Sequence, residues 1–132
     1  SRGLGDVYKR QEYELAKGKK DICIVCNCKN AETLNTFLCS DVRPFEEWIK
    51  SDFDKVLSGE IISKEISGNV CCAEINFKNT KIYNMLIEDD DEYYETCCEV
   101  DTKELRQLID EWCDKVREFK MSITTKPPHG QA

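Results

Sequence analysis

The sequence predicts an α+β domain: a single antiparallel sheet of about five to six strands with two amphipathic helices packed on one face. Three observations lead there. Short alternating runs are joined by turns too brief for a parallel crossover. Two stretches repeat apolar residues at three- and four-residue steps, the mark of a helix with one buried side. Helices of that kind need a surface to cover, and the strands supply one.

The elements follow in order. Residues 12–16 read as a short strand, and Gly18-Lys19-Lys20 turns the chain. Residues 21–29 make a stronger strand. Ile22, Ile24, Cys26 and Cys28 point one way and Cys23 and Val25 the other, so both faces are partly apolar, as in a central strand. Residues 31–39 place Leu34, Phe37 and Leu38 at helical spacing in a segment too short to assign. Pro44 suits the first turn of a helix, where its missing N–H costs nothing. Phe45, Trp48, Ile49, Phe53, Val56 and Leu57 then form one stripe, and Gly59 stops the helix by taking the left-handed conformation.

Residues 60–67 alternate with Ile62 and Ile66 on one side, and Gly68-Asn69 is a turn pair. Cys71, Ala73, Ile75 and Phe77 alternate against Val70, Cys72, Glu74 and Asn76 as in a half-buried strand. Lys78-Asn79-Thr80 turns the chain into a strand over residues 81–87. The acidic run Glu88-Asp89-Asp90-Asp91-Glu92 reads as a solvated turn, followed by a strand over 93–100 with Tyr94, Cys98 and Val100 on one face. Asp101 and Glu104 make a capping box. Leu105, Leu108, Ile109, Trp112, Val116 and Phe119 form the strongest helical stripe of the chain.

The ends stand apart from this pattern. Asp6-Val7-Tyr8-Lys9-Arg10-Gln11 resembles the translation of a transposon-end adapter used in sequencing-library preparation. Residues 1–11 are therefore expected to be an adapter artefact, with the native start lost upstream of Glu12. Residues 12–120 form the expected single domain. Residues 121–132 hold Pro127-Pro128 and Gly130 without apolar period and read as a disordered tail.

Charge and cysteine content narrow the function classes. The net charge is −7. Residues 1–11 hold three basic and one acidic residue, leaving 16 basic and 25 acidic, so residues 12–132 carry −9. Such a surface repels nucleic acid and anionic membranes and favours a basic protein partner. The small basic cluster Lys17, Lys19 and Lys20 is no broad positive footprint, and no apolar run has the length of a membrane span. The nine cysteines are odd in number and irregular in spacing, which argues against a secreted disulfide framework and for a reducing cytoplasm where thiols fill the core.

Candidate chemistry is sparse. The Cys23–Cys26 pair lies in a strand-like run, and the adjacent pairs Cys71-Cys72 and Cys97-Cys98 split across two faces, so a tetrahedral metal site is not expected. His129, the only histidine, sits in the tail, and no glycine-rich phosphate loop is present. No enzyme and no cofactor are expected. The acidic run lacks the spaced ligands and glycine of a calcium loop. It remains as a partner-binding candidate: Glu88, Asp89, Asp90, Asp91 and Glu92, with Tyr93 and Tyr94 as aromatic anchors. Tyr94 is alternatively core.

Three groups of residues follow one another as an ordered set: Leu57-Ser58-Gly59-Glu60; Ser67-Gly68-Asn69 leading to Ala73-Glu74-Ile75; and Glu99-Val100-Asp101-Thr102-Lys103-Glu104-Leu105 leading to Trp112. This set resembles small acidic bacterial proteins of the YacL-like kind, a grouping that includes immunity proteins of contact-dependent growth inhibition and related polymorphic-toxin systems. The resemblance runs over residues 56–118. It implies a non-enzymatic cytoplasmic inhibitor that binds a toxin domain, often a basic nuclease, through its acidic surface. The alternatives are a regulatory or structural adaptor of unknown partner, and a metal or redox protein built on the cysteines.

Overall fold

In a computed structural model, the backbone is described for residues 8–14 and 20–124 and the side chains for 21–122. The basic cluster at Lys17, Lys19 and Lys20 and the tail with His129 lie outside the described residues or side chains. Strands β1 (Tyr8–Glu14) and β2 (Lys20–Cys26) form an antiparallel ribbon. Helix α1 (Ala31–Phe37) runs directly into one π-helical turn, Leu38–Val42. Helix α2 (Glu46–Leu57) follows, then β3 (Ser63–Ser67), β4 (Cys71–Asn76) and β5 (Asn79–Asn84). Helix α3 (Asp90–Glu95), β6 (Cys98–Asp101) and α4 (Thr102–Thr124) complete the order.

The α+β class and the antiparallel pairing are as expected. The strands divide, however, into the β1–β2 ribbon and a four-stranded sheet of order β3-β4-β5-β6, so the main sheet is smaller than five or six strands. Strand β1 begins at Tyr8, four residues before the expected position.

One side of the four-stranded sheet is the core. Register places Ile66, Ala73 and Ile82 in one row and Ile75, Thr80 and Val100 in another. All six are buried, as are Leu34, Phe37, Ile49, Phe53, Leu105, Leu108, Ile109 and Trp112 from the helices above them. Removing each large apolar side chain from water contributes about 1.5–3 kcal/mol. Trp112 also donates its indole N–H to the Leu38 carbonyl at 2.8 Å, which satisfies its one polar atom.

The π turn brings Asp41 inside. Its carboxylate is fully buried and accepts the backbone N–H groups of Asn69, Val70 (3.0 Å) and Cys71 (2.8 Å). The β3–β4 turn is therefore folded around a carboxylate supplied by a distant helix. A Cβ on Gly68 would lie 2.5 Å from Asp41 Oδ1, so glycine is required by close approach. Gly59 ends α2 with φ of 82°, as expected of a left-handed stop.

Helices α2 and α4 are joined by a chain of ion pairs. It runs from Asp54 to Arg106 (2.8 Å), Asp110 (2.8 Å), Lys50 (3.2 Å), Glu46 (2.6 Å) and Arg117 (2.9 Å). The capping residue of α4 also behaves as read: Asp101 accepts the Glu104 N–H at 2.9 Å.

Four local expectations are corrected. Pro44 precedes the cap Phe45 and lies outside the helix. Trp48 is half-exposed at the edge of the stripe, against the Phe45 ring with centroids 5.4 Å apart. Ile62 falls in the bend before β3 and is exposed, while Ile66 inside the strand is buried. The expected strand over 93–100 is a short helix and a four-residue strand, because Asp89 accepts the Glu92 N–H at 2.9 Å and starts a helical turn. Tyr94 therefore does not share a face with Cys98: Tyr94 is exposed and Cys98 is in the core.

Candidate functional site

The side of the sheet turned away from the long helices is built by alternation. If Ala73, Ile82 and Cys98 face the core, their neighbours Cys72, Glu74, Lys81, Tyr83 and Glu99 must face outward. Register places Glu65, Glu74, Lys81 and Glu99 side by side across all four strands. One lysine thus stands among three carboxylates. The next row holds Ser67, Cys72 and Tyr83.

Helix α3 lies over the Tyr83 end of this face. Tyr93 stacks on Tyr83 with centroids 5.0 Å apart and planes 11° apart. Tyr94 meets both rings edge-on, at 5.0 Å from Tyr93 and 5.9 Å from Tyr83. Both geometries are favourable for aromatic quadrupoles. The Tyr93 hydroxyl lies 3.3 Å from the Cys72 sulfur. That bond first, then burial, raises the Tyr93 phenol above its usual range. Burial first, then the neighbouring Cys97, pushes the Tyr83 phenol up to about 12. Both therefore remain neutral at physiological pH. Tyr94 is the open member of the cluster, with 65% of its surface exposed.

The acidic run is the entry to α3. Asp89 caps the helix, and Asp90, Asp91 and Glu92 occupy its first turn, where negative charge complements the N-terminal end of the helix dipole. All five carboxylates from Glu88 to Glu92 are exposed, and among the described residues none joins an ion pair. The loop before them exposes Leu86 and, less fully, Met85. An apolar and aromatic surface is thereby bordered by unpaired negative charge.

Between α3, β5, β6 and the turn before α1 lies an open cavity of about 510 Å³. Lys29, Asn30, Lys81, Tyr83, Tyr94, Glu95, Cys97 and Glu99 line it. Asn30, with φ of 57°, donates its side-chain amide to the carbonyls of Glu95 (2.9 Å) and Cys97 (2.7 Å). Thr33 donates its hydroxyl to the Thr96 carbonyl at 2.7 Å. These bonds fasten the α3–β6 connection to α1. Among the described residues, no three His, Cys, Asp or Glu side chains converge as metal ligands would. No helix among them is long and apolar enough to cross a membrane.

The seven candidate residues thus sit on one short helix and its entry. Asp89 and Tyr93 have structural partners, Glu88, Asp90, Asp91 and Glu92 are exposed, and Tyr94 packs edge-on against two rings yet stays largely exposed. Sequence reading missed Tyr83, the row Glu65–Glu74–Lys81–Glu99, and the Asn30 clamp. The row was accessible in principle, since counting by twos from the apolar residues of β4 and β5 marks its members.

No family model matches the sequence, and no solved structure matches it. An immunity protein of Bacillus cereus is 37% identical over 87 residues, which span 66% of this chain and 72% of that protein. With that identity over that share of the relative's length, the chain belongs to the same family as this immunity protein.

Proposed function

We propose that the chain is a non-catalytic inhibitor that neutralises a basic toxin domain by binding it through the α3 face. The single observation that supports this most is the exposed Glu88–Glu92 carboxylates beside Tyr94 and Leu86, in a member of an immunity-protein family. Toxins that cleave nucleic acid carry basic clefts for phosphate. A face with three strand carboxylates and five more at a helix start matches such a cleft in sign, and steers the encounter. Tyr94 supplies the amphipathic anchor that such interfaces favour. In this reading Glu88, Asp89, Asp90, Asp91, Glu92, Tyr93 and Tyr94 form the contact segment, and the toxin is of the contact-dependent or related polymorphic class.

The test is co-expression with a candidate toxin domain from the same genome. Survival of cells that otherwise die, together with a complex that weakens as salt rises, is the expected result. Survival unchanged by Asp90→Asn, Asp91→Asn and Glu92→Gln together with Tyr94→Ala would remove this face from the interface.

A further inference from the structure

Five polar or charged residues are buried among the described residues: Thr33, Asp41, Asp52, Thr80 and Thr102. Four of them are satisfied. Asp41 accepts its three backbone N–H groups, Thr33 donates to the Thr96 carbonyl, and the Thr80 and Thr102 hydroxyls bond each other at 2.8 Å. Asp52 is the exception. It is 5% exposed, its Oδ2 atom has no hydrogen-bond partner, and none of the ion pairs among the described residues includes it. A buried carboxylate is costly unless it is bonded or paired. This one has unused capacity for a cation.

Helix geometry sets an aromatic group beside it. Asp52 lies on α2, and Trp48 is one turn earlier on the same face. Side chains on a helix lean toward its N-terminus, so Asp52 leans over the turn that carries Trp48. Trp48 is 42% exposed, and the partly buried Phe45 ring meets it edge-on at 5.4 Å. The opposite flank of α2 is already occupied, since Glu46, Lys50 and Asp54 are tied to α4. Lys55, three residues after Asp52 and exposed, does not bond the orphaned oxygen.

We infer that the Trp48–Asp52 flank of α2 is a second docking surface, and that its occupant is an arginine side chain of a protein partner. The charge is complementary: residues 12–132 carry −9, and the buried carboxylate left without a partner sits here. The shape is complementary too. A planar guanidinium lies flat on an exposed indole and directs its N–H groups sideways at a carboxylate. The compact, strongly hydrated ammonium of lysine makes no such paired approach. Tryptophan and arginine are also side chains on which interfaces most depend. Helix α2 covers the core side of the sheet and α3 the other, so this surface is separate from the acidic one. The inference does not depend on the α3 reading.

The experiment titrates the full chain with the peptide acetyl-Gly-Arg-Gly-amide and follows tryptophan fluorescence. Trp112 is buried, so the response reports on Trp48. A saturable change is expected with the arginine peptide and not with its citrulline counterpart, which keeps the shape and loses the charge. Asp52→Asn is expected to weaken binding about tenfold. The combined Asp90→Asn, Asp91→Asn, Glu92→Gln variant is expected to bind the peptide as the parent does, which separates this surface from the α3 face. Melting gives an independent check. Asp52→Leu removes a buried charge that no group satisfies, and is expected to melt at or above the parent temperature. Four results would each overturn the proposal: no saturable change, equal binding of the citrulline peptide, equal binding by Asp52→Asn, or a clear fall in melting temperature for Asp52→Leu. Weaker binding by the α3 variant would overturn it as well, by placing the peptide on the acidic face.

Discussion

The two faces of the β3–β6 sheet are made from the same strands and do opposite work. The face carrying Ala73, Ile75, Ile82 and Cys98 is sealed beneath α1, α2 and α4, with each of these residues at zero exposure. The face carrying Glu74, Lys81, Tyr83 and Glu99 is covered only in part, by the six residues of α3. The sealed face holds the fold together. The open face has charge and aromatic surface beyond what packing uses. Substitutions that act on stability should therefore cluster on the first and those that act on a partner on the second.

The largest effects should fall on the sealed side. Trp112→Ala removes a buried indole and its bond to Leu38, and is expected to cost about 3–5 kcal/mol by denaturant unfolding. Asp41→Ala leaves three backbone N–H groups of the β3–β4 turn without an acceptor, and is expected to cost about 3 kcal/mol or more. Gly68→Ala presses a methyl group against the same carboxylate, for about 1–3 kcal/mol. Near-neutral stability for any of these would break the division into a sealed and an open face.

On the open side the order reverses. Tyr94→Ala is expected to change stability by less than about 0.5 kcal/mol and to weaken a partner complex by about 2 kcal/mol or more. The ion-pair chain between α2 and α4 sharpens the comparison from outside the sheet. Although burial opposes it, bonding to Lys50 and Arg117 holds the Glu46 carboxyl below its usual range. A lowered carboxyl pKa stabilises the fold above the unfolded value and loses that contribution as pH falls through the folded value. Glu46→Gln should thus cost at most about 1 kcal/mol at pH 7. The difference from the parent should start to shrink as pH falls below about 4 and vanish only below the lowered folded value.

The sealed face is the part of the fold most legible in the sequence. Its residues repeat with the period of their element, and burial enforces that period. Cys71, Ala73 and Ile75 alternate, and the α4 stripe from Leu105 to Phe119 has helical steps. The open face carries no such constraint, so tyrosine and glutamate there look like any surface residues. Residues 93–100 misled for a local reason: two tyrosines, two cysteines and a valine favour a strand, yet Asp89 and Glu92 carry the same capping signature as Asp101 and Glu104. The Asp41 anchor was invisible because it joins positions 41 and 69–71, a contact no short-range pattern encodes.

The central claim is that the α3 carboxylates steer a basic partner without contributing to the core. The most direct measurement is the association rate of the Asp90→Asn, Asp91→Asn, Glu92→Gln variant with a candidate toxin domain from the same genome, at low and high salt. Asp89 is kept because it caps α3. The account predicts a rate about tenfold slower at low salt, a difference that closes at high salt, and a stability change below about 1 kcal/mol. An unchanged association rate in a folded variant would contradict it.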